Sequence, residues 1–135
     1  MQNLLSSKTN TSLVFTKICD NNISLDKRLH LLLNNLGIPA NVKGYYYIKE
    51  GLELFFKNSS VLPMTTVLYP QIAEKFNTNS KSVERAIRHG IELFSLRGNA
   101  ELIDLIFGYS ININKGKPTN SEFFAGIYCF MNTYK

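Results

Sequence analysis

Apolar residues recur along this chain at helical rather than strand spacing. Between residues 25 and 36, Leu29, Leu32, Leu33 and Leu36 fall three or four positions apart, which places them on one face of an α-helix. Ser24 stands where a side-chain oxygen can cap that helix. Gly37 then ends it, and Pro39 prevents its continuation. A second helix is predicted over 42–57, packing through Tyr46, Ile48, Leu52, Phe55 and Phe56, with Gly44 and Gly51 permitting close helix contacts although each weakens the helix. Residues 64–68 are predicted as a short helix leading into the stretch 69–97, and 100–107 as another after Gly98-Asn99. In 108–116, predicted extended or looped, Ile111 and Ile113 alternate with polar neighbours, which allows a small strand. Thr119 and Glu122 have capping-box spacing ahead of a last helix carrying Phe123, Phe124, Ile127, Phe130 and Met131. Residues 1–23, rich in Asn, Ser and Thr, read as a loosely ordered leader that docks through Leu13-Val14-Phe15. The expected fold is therefore mainly α: a leader over 1–23, then over 24–135 a single-domain bundle of about six helices.

The stretch from Tyr69 to His89 has the layout of a helix-turn-helix: a short helix, a polar turn, and a longer helix over about 80–97. Ala73 is small where the two helices must approach, and Ile72, Phe76, Val83 and Ile87 supply apolar contacts between them. Asn77 sits where the chain leaves the first helix, and Asn tolerates a left-handed backbone. Thr78, Asn79 and Ser80 offer oxygens to cap the next helix. At about 100° per residue, Val83, Ile87, Ile91 and Phe94 share one sector, with Ala86 and Gly90 at its edge. Lys81, Arg85, Arg88 and Glu92 share the opposite sector, flanked by Ser82, Glu84 and His89. Such a face carries donors for guanine edges and phosphates, with carboxylates to accept from cytosine. The plainer alternative is an amphipathic helix whose charges are merely solvated.

The run Val83-Glu84-Arg85-Ala86-Ile87-Arg88-His89, continued by Ser95-Leu96-Arg97-Gly98-Asn99, resembles the DNA-binding effector domain of the stage-zero sporulation response regulator of endospore-forming Firmicutes. Further blocks occur in family order: residues 37–45 (GIPANVKGY), 67–70 (VLYP), 105–109 (LIFGY) and 117–123 (KPTNSEF). The resemblance implies a cytoplasmic transcription regulator that binds double-stranded DNA. It also implies homodimerisation on tandem sites with a contribution from the C-terminal helix, and an RNA polymerase contact. Glu84, Arg85, Arg88 and His89 match the family motif. Two departures stand out. No receiver domain precedes residue 25, so control through an attached phospho-receiver is not expected. Where the family usually has Ser-Arg, this chain has Lys81-Ser82, and the family arginine at that place reads a guanine. Duplex binding therefore carries over, and the family's target sequence does not.

Charge and composition agree with an anionic partner. The 135 residues carry a net charge of +5, and 44% are hydrophobic. Beyond the predicted recognition helix, cations stand at Lys115 and Lys117 beside a Gly/Pro-rich turn, a suitable phosphate clamp. The expected DNA-binding residues are thus Lys81, Ser82, Glu84, Arg85, Arg88, His89, Lys115 and Lys117; His89 reads equally as a phosphate contact or as plain surface. No apolar run approaches the roughly 20 residues needed to span a bilayer, and no secretory signal opens the chain. Cys19 and Cys129 have no metal-ligand spacing and are expected to be reduced thiols. No Gly-rich phosphate loop, paired-Cys motif or nucleophile elbow appears, so neither an enzyme nor a bound metal or cofactor is expected. Tyr45, Tyr46 and Tyr47 suit helix packing better than base stacking, because they lie inside an amphipathic helix. A competing reading, from a different class, is a protein-interaction module that pairs with a full-length sporulation regulator and modulates it.

Overall fold

Ser24 caps the first of the expected helices, its hydroxyl accepting from the Lys27 amide. That helix, α2, spans Leu25–Asn35, and α1 is the helical stretch over residues 11–18 ahead of it. The computed structural model describes residues 11–58, 63–108 and 117–134. Among these follow α3 (Lys43–Lys57), α4 (Tyr69–Lys75), α5 (Ser80–Arg97), α6 (Ala100–Phe107) and α7 (Asn120–Thr133). All the regular structure described is helical. Lys115 and the stretch holding Ile111 and Ile113 lie outside the described residues.

Leu29, Leu32, Leu33 and Leu36 are fully buried, as their spacing requires. Gly37 takes φ +85°, a left-handed conformation that costs glycine nothing, and the chain turns there towards α3. In α3 the tyrosine run differs from expectation. Tyr45 and Tyr47 are buried, whereas Tyr46 is 49% exposed. The helix is gripped from two directions: Tyr45 meets His30 of α2 through a hydroxyl–imidazole hydrogen bond, and Tyr47 packs edge-on against Phe76. Three consecutive residues fan over roughly 200° of a helix, so the middle one is left facing water, its ring edge against Tyr45.

The expected short helix at Met64–Leu68 is a π-helical turn that runs directly into α4. Val67 and Leu68 both direct their amides to the Pro63 carbonyl. At the other end of the domain the Thr119–Glu122 capping box forms in full, each partner satisfying the other's amide. Phe123, Phe124 and Ile127 of α7 are fully buried, with Phe94, Phe107 and Phe123 meeting at centroid separations between 5.5 and 5.8 Å.

The segment read as a loosely ordered leader docking through Leu13-Val14-Phe15 is helical over α1, and of that patch Val14 and Phe15 pack against the core while Leu13 stays exposed. Ile18 is fully buried in the common core, and Phe15 sets its ring edge-on to Phe130 and Tyr134 at the end of α7. The Asn99 amide also reaches the Thr11 hydroxyl at 3.4 Å. The Asn/Ser/Thr-rich composition hides the helical order and the burial of Ile18, because two apolar side chains one helical turn apart suffice to dock the segment once a hydrophobic surface is available.

Candidate nucleic-acid interface

The two helices of the expected helix-turn-helix are α4 and α5. Asn77 adopts φ 54° between them, alone among the described non-glycine residues in having a left-handed backbone. The turn is closed by the Thr78 amide on the Ala73 carbonyl, 2.9 Å. Asn79 then caps α5, its side-chain oxygen accepting from the Ser82 amide at 2.9 Å. Ile72, Val83 and Ile87 are fully buried at the crossing, and Ala73 nearly so. Phe76 is only partly recruited: it is 37% exposed and belongs to the contact with Tyr47 rather than to the hairpin interior.

The buried face of α5 is held most closely by α3. A Cβ built on Gly44 would lie 2.2 Å from the Ala86 carbonyl oxygen, so the two backbones nearly touch. Gly90 meets Ile48 on the same seam, and further along Phe94 packs against Phe123. With one side of α5 committed in this way, Lys81, Ser82, Arg85, Arg88 and His89 are all exposed, and Glu84 is half-buried at the margin.

The cations on this surface differ in their partners. Among the described residues, no carboxylate lies within ion-pair distance of Lys81 or Arg85. Arg88 instead pairs with Glu84 one turn earlier, 3.5 Å. Lys117, from the segment before α7, donates to Glu92 Oε1 at 2.7 Å, and His89 Nδ1 stands 3.9 Å from the other Glu92 oxygen. The hydrogen bond and charge of Lys117 hold the Glu92 carboxyl below its ordinary range. Lys117 is thus placed on the flank of α5, bonded to one of that helix's carboxylates.

Asn120 is a residue of this surface that sequence reasoning missed. Its side-chain amide donates to the Tyr69 hydroxyl, 2.9 Å, and to the Glu84 carbonyl, 3.3 Å. One side chain therefore ties the start of α7 to the start of α4 and the second turn of α5. The Tyr69 side chain is largely buried, and burial pushes its phenol pKa up. In the sequence Asn120 is only the second letter of a capping box, and nothing local marks it as a tertiary donor. Asn120→Ala is expected to destabilise the domain by about 1–3 kcal/mol, because the Tyr69 hydroxyl loses its partner inside the protein. Chemical denaturation would show this, and an unchanged midpoint would remove the residue from the account. A cleft of about 460 Å³ opens beside this junction, bordered by Thr65, Tyr69, Arg88, Lys117 and Ser121.

Among the described residues no helix is long and apolar enough to cross a membrane, and no cluster of His, Cys, Asp and Glu has the makings of a metal site. Both cysteines are free thiols. A family model described as the C terminal of the sporulation initiation factor Spo0A matches residues 29–130. The match runs from the first buried leucine of α2 to Phe130 of α7 and contains the whole α4–turn–α5 unit.

Proposed function

The chain belongs to the Spo0A C-terminal family, DNA-binding effector domains of a sporulation regulator, and from that premise we propose that it is a sequence-specific transcription regulator that inserts α5 into the major groove of duplex DNA. One observation supports this reading above the others. The buried face of α5 is fixed by backbone contact with α3, while its opposite face presents Lys81, Ser82, Arg85, Arg88 and His89 to solvent. A solvated amphipathic helix has no need of such a rigid mount, whereas base readout needs side chains held in register. In this reading Arg85 and Arg88 address bases or phosphates, Glu84 accepts from a base edge, and Lys115 and Lys117 touch phosphates. Pairing of two copies on tandem sites would use the outer stripe of α7, with Ala125 and Cys129 exposed, because its phenylalanines are spent on the core.

Selection of binding sites from random duplex DNA with the purified chain tests the proposal. A definable motif supports it, and uniform weak recovery of all sequences overturns it. Ser82 adds a finer expectation. Its hydroxyl begins at Cβ and cannot span both acceptors of a guanine, as the arginine common in the family can. Ser82→Arg should tighten binding to the family's site by roughly 1–3 kcal/mol while leaving the salt dependence almost unchanged. If the unmodified chain already discriminates that guanine equally well, Lys81 or a shifted docking makes the contact.

A further inference from the structure

The division of the basic surface into an open part and a carboxylate-paired part has a consequence for how tightly any duplex is held. Lys81 and Arg85, on the first turns of α5, are unpaired among the described residues, while Arg88, His89 and Lys117 face Glu84 or Glu92. Glu92 is the better placed of the two acids. It lies two turns beyond Glu84 on the flank where Lys117 arrives, and its side chain is 45% exposed. It bonds Lys117 at 2.7 Å, with His89 Nδ1 3.9 Å from its other oxygen.

We propose that Glu92 is a resident competitor for DNA phosphate at Lys117, a carboxylate that lowers the sequence-independent hold on duplex DNA. The inference rests on the DNA-binding reading above. Backbone affinity comes from cations that displace condensed counterions from the phosphates. A lysine already bonded to a carboxylate must give that bond up, or share its ammonium, before it neutralises a phosphate. The free energy gained on contact is smaller by the worth of the internal pair. Lys81 and Arg85 carry no such handicap, so attraction is concentrated at the end of α5 whose side chains read bases.

The test uses Glu92→Gln, which keeps the side chain's shape and an acceptor oxygen but removes its charge, together with Lys117→Ala and the double variant. Each is titrated against the selected site and against a scrambled duplex over a range of salt concentrations. Glu92→Gln is expected to bind both duplexes roughly two- to fivefold more tightly, the range an exposed ion pair supports. Its plot of log affinity against log salt should steepen by up to about 0.9. Both effects should vanish in the double variant. Thermal melting should be unchanged, since the pair is exposed. A gain that survives without Lys117 overturns the inference, as general charge removal would then explain it. Weaker binding by Glu92→Gln also overturns it, and assigns the carboxylate to a base edge. Binding by every variant with no effect of Glu92 overturns this inference alone, whereas no binding by any variant overturns the parent reading with it.

Discussion

Gly44→Ala is expected to destabilise the domain by about 2–3 kcal/mol, lowering its melting temperature by roughly 8–12 °C. The added methyl would stand 2.2 Å from the Ala86 carbonyl oxygen and 3.0 Å from its carbonyl carbon, both backbone atoms of a neighbouring helix. Neither can move without shifting α5 as a whole. Gly44 is the second residue of α3, where the interior preference for alanine over glycine has little weight, so the measured loss is essentially the clash. Gly51 provides the control. Its added methyl would meet the rim of the Phe124 ring at 2.6 Å and Ile72 Cδ1 at 3.3 Å, side-chain atoms that can shift without carrying a whole helix with them. Gly51→Ala should therefore cost distinctly less. Circular dichroism melts of the two variants decide the matter, and a Gly51 variant that is the less stable of the pair would contradict this view of the α3–α5 seam. Because the same seam aims the exposed face of α5, Gly44→Ala should weaken DNA binding even at temperatures where it remains folded.

Arg85→Ala should reduce affinity for the selected site by roughly 1–3 kcal/mol, a loss of about five- to 150-fold, if its guanidinium reads a base. Arg85 is exposed, and no carboxylate lies within ion-pair distance of it among the described residues, so truncation strands no internal charge. Stability should change by no more than about 0.5 kcal/mol. Arg88→Ala is expected to lose less, because its bond to Glu84 at 3.5 Å must already be loosened when DNA binds. Fluorescence anisotropy with the selected site and a scrambled duplex separates base reading from phosphate contact. An equal loss on both duplexes would place Arg85 on the backbone instead.

Much of the helix-turn-helix and of the start of α7 is legible in the amino-acid sequence. The limits of α5, the left-handed Asn77, the Asn79 cap and the Thr119–Glu122 box are all found as the sequence pattern expects. Each depends on residues within about four positions of one another, the range over which a helix or turn makes its own hydrogen bonds. Periodicity likewise marks Val83, Ile87, Ile91 and Phe94 as the inward stripe, because any amphipathic helix must bury its apolar side.

What the sequence determined by itself, then, is the kind of elements, their ends, and which side of α5 faces out. The family resemblance, read from short strings, added the expectation that this outer side reads DNA, and the family match spans the same region. Tertiary structure decided which residues meet across helices. Tyr45 and Tyr47 are buried while Tyr46 is not, because α3 is packed from two directions that its periodicity cannot distinguish. Asn120 reaches Tyr69 and Glu84 across separations of 51 and 36 residues, and Lys117 reaches Glu92 across 25. Phe15 lies 5.6 Å from Phe130, a partner at the far end of the chain that the apolar patch around it does not identify. Such pairs leave no local trace, because their geometry is set by how whole helices cross, and crossing angles depend on every side chain in the seam at once.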